Sequence, residues 1–477
     1  MWNKKDLEKI FNRGLEIGNN LKGIKIDSRL QGDIFIGIKG PNHDGSNFSK
    51  QAIENGAKLC IVSNIPSDCS DQPEKFIVLN DTYNDGLLKI AQFNRDHKHK
   101  NNSFIGVTGS VGKTTTKEML KIAFSALLDD AYANDGNLNN HYGLPLSLAN
   151  MSDAKCSIFE LGMSSAGEIS FLSKILKPHI SIITGIAPAH MESFSGLDQI
   201  AAAKAEIVDG MEENGILILN LDSPHADVII EHAKKHSIKI FGYSLYENDL
   251  KVDLKIVLEN QQTTPPGQTL MSVKFNEKRI DYRIGEIGSE FLLNSMAVLG
   301  ALIAYSDGDL ESIKKGMNGL ESFSGLKGRG KKTFFPQKQI TLIDDSYNAN
   351  PTSVKAAIER FARISNGISS DSKRSVAVLG DMLELGNDEI EMHKNLIDII
   401  SKNNIDKVFC VGNRMYELFK ILPKDKQGLW CETAEEMSIT IKDLLCDGDC
   451  IMVKGSNSMR MSRVCSAIEE HCRQITL

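Results

Sequence analysis

Residues 106–117 read GVTGSVGKTTTK, and the reading of this stretch decides the fold. A full phosphate-binding loop has Gly, four residues, then Gly-Lys-Ser/Thr. Here the first Gly position holds Val107, leaving Gly109, Gly112, Lys113 and Thr114 of the pattern. The apolar run SFIGVT before it has strand character, and KEMLKIAFSALL after it has apolar residues at helical spacing. A glycine turn between strand and helix is the setting in which backbone N–H groups and a helix N-terminus cradle phosphate. In that setting Gly109, Ser110 and Gly112 shape the turn, Lys113 neutralises phosphate charge, and Thr114 suits Mg²⁺. The competing reading is a glycine-rich turn carrying a solvated lysine.

Outward from the loop, the runs KCSIFELG, HISIITGI and GILILNLD alternate with helical stretches, the pattern of a buried parallel sheet. Upstream, DIFIGIKG, AKLCIVS and KFIVLND predict a small α/β unit, and the polar NRDHKHKNN at 94–102 reads as a linker. Downstream of KKGMNGLESFSGLKGRG the alternation restarts with QITLIDDS, SVAVLGDM, DKVFCVG and DCIMVKGS. The fold class is therefore α/β with three domains, expected at 1–98, 99–318 and 319–477.

The 477-residue length agrees, since one core seldom serves more than about 250–300 residues. With 62 acidic against 55 basic residues and a formal charge of -7, the chain has no electrostatic footprint for nucleic acid. Nine cysteines without a C-x-x-C pair, and a start lacking a signal-peptide core, suit reduced thiols in the cytoplasm. No apolar run approaches the roughly 18 residues of a membrane span.

Two more groups fall where a metal beside the loop needs ligands. Glu160 ends one strand and His190 follows the next, so both are expected at the carboxyl edge of the sheet, where open α/β sheets bind ligands. Taken singly, Glu160 reads first as a solvated strand-end carboxylate and His190 as a satisfied loop histidine; beside the loop and Thr114 they make a Mg²⁺ site. Lys204, in the small-residue helix DQIAAAKAEIVDGM, reads on spacing alone as a surface lysine.

The stretches TGSVGKTTTKEML, GNLNNHYGLPLSL, FELGMSSAGEI, APAHMESF and AAAKAEI occur in the order of the ATP-binding domain of the Mur ligase family, which the chain resembles. DSRLQGDIFIGIKGPNHDGSNF resembles that family's UDP-sugar domain. GLKGRG, DDSYNANPTSVKAAI, LGDMLELG and VKGSNSM resemble its carboxy-terminal domain. DDSYNANP and GDMLELG are similar to the branch that joins D-alanyl-D-alanine to a UDP-N-acetylmuramoyl-tripeptide. The resemblance implies a cytoplasmic, monomeric, ADP-forming ligase of peptidoglycan synthesis that works through an acyl phosphate, with ATP and two Mg²⁺ ions.

Residue by residue, the resemblance assigns Lys113, Thr114 and Thr115 to the ATP phosphates and Mg²⁺, and Glu160 and His190 to the metal. It assigns Ser28 and Arg29 to the uridine nucleotide, Asn294 to adenine, and Arg329 and Asp345 to phosphate and ribose. It turns Lys204 into a carbamylated lysine beside the metal. The chain departs from the pattern at Glu290 and Phe291, where relatives carry a His-Asn pair, and at Gly185, where they often carry Asn. A folylpolyglutamate synthetase-like ligase and a nucleotide-dependent switch are the alternatives; the first lacks the amino-terminal DSR domain, and the second needs no carboxylate acceptor.

Overall fold

A computed structural model describes residues 1–473 apart from 189, 190, 192, 265, 266 and 368–373. It contains three sheets in chain order, and the expected α/β class is what is found.

The first sheet is four parallel strands, Ile24–Lys25, Ile34–Ile36, Leu59–Val62 and Phe76–Val78, in sequence order. The two middle strands, Ile34–Ile36 and Leu59–Val62, are buried on both faces, which is why they read as continuous apolar segments rather than alternating ones, while Val78 at the edge is exposed. The stretch at 94–102 is not the solvated linker expected from its polarity. Asn94, Arg95 and His99 are buried. The Arg95 guanidinium donates to the carbonyls of Leu176 (3.0 Å) and Lys177 (2.6 Å) and pairs with Glu212 at 2.7 Å. Those carbonyls lie at the end of the helix Glu168–Leu176, so a polar segment here satisfies a helix C-terminus.

The central sheet has nine strands. In spatial order they are Lys278–Ile284, Gln268–Phe275, Leu254–Thr264, Lys239–Ser244, Ile216–Asn220, Ile180–Ile183, Ser103–Thr108, Cys156–Glu160 and Tyr132–Ala133. From Leu254–Thr264 to Tyr132–Ala133 all pairings are parallel; the other two strands add an antiparallel meander that the sequence reading did not contain. Strand order reverses around Ser103–Thr108, which lies between Ile180–Ile183 and Cys156–Glu160. A crevice forms at such a reversal, outside the carboxyl ends of the strands. The helix Ser289–Tyr305 is apolar nearly all round and lies buried in the core on one face of the sheet, with Met296, Val298 and Leu299 fully enclosed.

The third sheet has six strands: Lys331–Phe335, Ile340–Asp345, Cys450–Lys454, Ser375–Gly380, Lys407–Val411 and Gln427–Cys431. The first is an antiparallel edge strand and the rest are parallel. Asp345 and Lys454 end adjacent strands at the carboxyl edge. All nine cysteines are free, and of these only Cys446 is exposed. Among the described residues no helix is long and apolar enough to cross a membrane.

Candidate active site

The loop after Ser103–Thr108 has the backbone that a cradle requires. Gly109 and Gly112 sit at φ +146° and +83°, and Gly112 precedes the first residue of the helix Lys113–Leu128. A side chain is excluded at both: a Cβ at Gly109 would lie 2.1 Å from Thr184 Oγ1, and one at Gly112 would lie 2.7 Å from Asn294 Oδ1. The Ser110 N–H donates to the Gly185 carbonyl at 2.8 Å, strapping the loop to the end of the neighbouring strand. That bond uses backbone alone, so Gly185 serves it as well as another residue.

Lys113 donates to the Gly109 carbonyl at 2.7 Å, folding back over the loop. Burial holds its pKa below the usual lysine value, Glu160 opposes that shift, and the positive charge of Arg329, from the third sheet's domain, adds to it. Ser110 Oγ is buried without a hydrogen-bond partner among the described residues. A cradle with an orphaned hydroxyl, a partly buried lysine and helix N–H groups fits the phosphates of a nucleotide.

Beside it, Thr114 Oγ1 donates to Glu160 Oε2 at 2.7 Å, and Asn139 Nδ2 donates to Glu160 Oε1 at 2.9 Å. A buried carboxylate fixed next to a hydroxyl is a hard oxygen donor set, the kind Mg²⁺ takes. Thr115 and Thr116 are buried in the first turn of the helix, and Thr116 Oγ1 donates to Asn294 Oδ1 at 3.2 Å. Asn294 thus packs behind the loop, against Gly112. His190 lies outside the described residues.

Lys204 is not the surface residue that its spacing suggests. In the helix Leu197–Ala205 it is 2 % exposed, and among the described residues nothing hydrogen-bonds or pairs with its ammonium. Burial pushes its pKa well below the usual value, and repulsion from Lys113 adds to this, against the pull of Glu160, Glu206 and Glu168. The small alanines on either side let the helix pack closely, so the lysine turns inward. Helical spacing alone does not reveal this, because no wide apolar stripe marks which face is inside.

From the third sheet, Arg329 lies with its guanidinium carbon 3.9 Å from the centroid of the Tyr347 ring. Asp345 pairs with Lys454 at 3.1 Å and with Arg360 at 3.6 Å. Arg360 crosses to the central domain: its Nε is 3.1 Å from Glu290 Oε1, and its guanidinium carbon is 5.1 Å from the centroid of the Phe291 ring. Two of the three residues that depart from the family pattern, Glu290 and Phe291, thus meet the third domain. Arg360, Lys454, Asn139 and Thr184 carry no role in the sequence reading. Asn139, Lys454 and Thr184 lie inside quoted stretches, whereas nothing local marks Arg360.

In the first domain, Ser28 Oγ donates to Gln51 Oε1 at 2.6 Å, and Arg29 pairs with Asp27 at 2.7 Å. Hydrogen bonds from Arg29 lower the Asp27 pKa to about 2. These residues line a cleft of about 570 Å³ with His43 and with Tyr142 from the central domain. Tyr142 stands edge-on to Tyr83, their centroids 5.4 Å apart, which braces the wall between the two domains.

Fold and site together define an α/β enzyme of the nucleotide-loop class, built on three sheets. Residues 107–302 match the Mur ligase middle domain, and residues 332–457 match the Mur ligase glutamate ligase domain. A UDP-N-acetylmuramoyl-tripeptide–D-alanyl-D-alanine ligase of Rickettsia prowazekii (strain Madrid E) is 35% identical over 97% of this chain and 99% of its own. The Bacillus subtilis (strain 168) protein of the same name is 32% identical over 93% and 92%. The crystal structure of MurF from Acinetobacter baumannii superposes with a TM-score of 0.81 at 27% identity, covering 99% of both chains. MurF ligase from Thermotoga maritima in complex with ADP gives 0.75 at 25% identity, over 94% of this chain and 98% of that one. The chain belongs to the Mur ligase family.

Proposed function

We propose that this protein is an ATP-dependent ligase that joins D-alanyl-D-alanine to the terminal carboxylate of UDP-N-acetylmuramoyl-tripeptide, in the cytoplasm and as a monomer. The three sheets support functional units at 1–98, 99–318 and 319–477 for the UDP-sugar, ATP and dipeptide-joining roles. The observation that carries the reading is the loop site itself: Gly109 and Gly112 at positive φ, Lys113 folded back over the loop onto the Gly109 carbonyl at 2.7 Å, and Thr114 fixed on the Glu160 carboxylate at 2.7 Å.

The order of events follows from charge. A carboxylate is a poor electrophile until one oxygen becomes a leaving group. An oxygen of the tripeptide carboxylate attacks the terminal phosphorus of ATP, and the bond to ADP breaks. The dipeptide amine then attacks the acyl carbon, phosphate leaves with the C–O bond pair, and the amine's proton passes to solvent. Gly109, Ser110, Gly112, Lys113 and Thr115 cradle the phosphates, and the loop N–H groups and Lys113 stabilise charge on the transferring group. Asn294 supports the loop on the adenine side. Arg329 and Asp345 approach phosphate and ribose from the third domain. Ser28 and Arg29 hold the uridine nucleotide in the cleft they line.

Thr114 and Glu160, with His190 and a modified Lys204, are the residues that would hold two Mg²⁺ ions, whose charge would neutralise the phosphate oxygens. Lys204 supports its own modification. A buried lysine beside Lys113, with its pKa pushed well down, gives up its proton to become a neutral amine more readily than a solvated lysine does. That amine's lone pair bonds to the carbon of CO₂, one C=O pair moves to oxygen, and a nitrogen proton leaves to solvent, yielding a carbamate anion. The charge at 204 then changes from one that repels Mg²⁺ to one that attracts it.

The test is mass spectrometry of products from UDP-tripeptides ending in lysine or in diaminopimelate, with ATP and D-alanyl-D-alanine. A pentapeptide product with equimolar ADP and phosphate is expected from one of them. ATP hydrolysis indifferent to both peptides, or glutamate addition to a folate, would overturn the reading.

A further inference from the structure

Away from the nucleotide site, Asp209, His232 and His236 bring three ligand atoms within 4.8 Å of one another. His232 and His236 stand four residues apart, at and just beyond the end of the helix Ala226–Lys235, so their rings share one face. The rings lie 4.8 Å apart at 27°. Both aim Nε2 at the same oxygen, Asp209 Oδ1, at 2.9 Å from His232 and 3.6 Å from His236. We propose that Asp209, His232 and His236 form a binding site for a borderline divalent transition metal, Zn²⁺ in the first instance.

Ligand atoms about 2.0–2.1 Å from a zinc ion are roughly 3.4 Å apart in a tetrahedron. Separations here begin at 2.9 Å and stay within 4.8 Å, a span that contains that figure. Two imidazoles and one carboxylate select Zn²⁺, Ni²⁺ or Cu²⁺ over Mg²⁺, which prefers oxygen ligands and keeps its waters. Three protein ligands leave a coordination position to water, and the partly exposed imidazoles make the site reachable from solvent. The nearby Lys235 charge is taken up by Glu231 at 2.9 Å.

The position gives the site a consequence. Asp209 belongs to the turn Glu206–Gly210, which continues directly from the helix carrying Lys204. Glu206 of the same turn accepts hydrogen bonds from the Gly167 and Ser170 N–H groups at the start of the neighbouring helix. A bound ion would therefore cross-link this turn to the helix Ala226–Lys235.

The experiment uses full-length, tag-free protein stripped with chelator, titrated with Zn²⁺ against a chromophoric competitor. Pulsed EPR of a one-equivalent Cu²⁺ complex runs alongside it. One tight equivalent is expected, weakened at least 10-fold by H232A or by H236Q, the latter keeping a polar, uncharged side chain at 236 and leaving the His232–Asp209 hydrogen bond in place. Imidazole nitrogen couplings should fall from two rings to one in either variant, with circular dichroism and ligation rate unchanged. Zn²⁺ binding that is absent, or that survives intact in H232A/H236A through a thiol such as Cys446, overturns the proposal, as does a Cu²⁺ spectrum without imidazole nitrogen.

Discussion

Replacing Arg360 by Met should cripple the enzyme far more than replacing its partner Glu290 by Gln, and the asymmetry can be worked from the structure. The guanidinium lies 3.1 Å from Glu290 and 3.6 Å from Asp345. Each attraction is about 5 kcal/mol before desolvation, at an effective dielectric of 20. Arg360 is 2 % exposed, so desolvation offsets much of that. The geometry is also imperfect, since Arg360 Nε and Nη1 and Glu290 Oε2 make no hydrogen bond among the described residues. Burial in fact raises the Glu290 pKa although Arg360 pulls it down. Neutralising Glu290 thus removes a group that burial already disfavours as an anion, and E290Q should change kcat/KM for ATP less than about 5-fold. R360M leaves Glu290 facing Phe291 and an apolar side chain whenever the domains are closed, and leaves Asp345 with Lys454 alone. That should cost about 3 kcal/mol, or roughly 100-fold in kcat/KM for ATP. In the double variant the stranded carboxylate is gone, and at least a 5-fold recovery over R360M is expected. The assay is ligation at subsaturating ATP in a double-mutant cycle. Single effects that simply multiply in the double variant would refute the reasoning.

The remaining predictions bear on the cradle, the lysines and the domains. K113A should lower kcat by about 100-fold or more while leaving the circular dichroism spectrum intact, because its main work is on transferring charge; normal turnover by folded K113A removes it from the mechanism. K204A should lose most activity and recover part of it in acetate, whereas K204R should not respond; near-normal rates in K204A would return the residue to a structural role. After CO₂ is stripped, reactivation at fixed dissolved CO₂ should rise with pH. The amine must be neutral to react, and its depressed pKa should place that rise below the range of an ordinary lysine; reactivation independent of pH would argue against the carbamate. G112A combines a positive φ with a Cβ 2.7 Å from Asn294 Oδ1, and should weaken ATP binding at least 10-fold by calorimetry. Small-angle scattering with UDP-tripeptide and a non-hydrolysable ATP analogue should show compaction if the isolated enzyme is open, with no change counting against domain closure.

How far the chain could be read without its structure depends on the range of each interaction. The loop at 106–117, the strands around it and the alternation of the third domain are written in local terms: glycines where positive φ is needed, apolar runs where strands are buried on two faces, helical spacing where one face is covered. These local signals, in their order along the chain, also carry the resemblance to the Mur ligases. What lay beyond them depends on partners far away in sequence. Polarity at 94–102 suggested a linker, but Arg95 is spent on a helix end some eighty residues on. Lys204 looked solvated because charge is usually exposed, yet close packing of an alanine-rich helix buries it beside Lys113. Glu290 and Phe291 read only as missing adenine contacts; the folded chain gives them Arg360, seventy residues later and in another domain. Local sequence determined which backbone shapes and chemical groups exist, because turns and strands form over a few residues. Only the tertiary structure decided which charges meet and which lose water, because burial and pairing are set by the whole packed molecule.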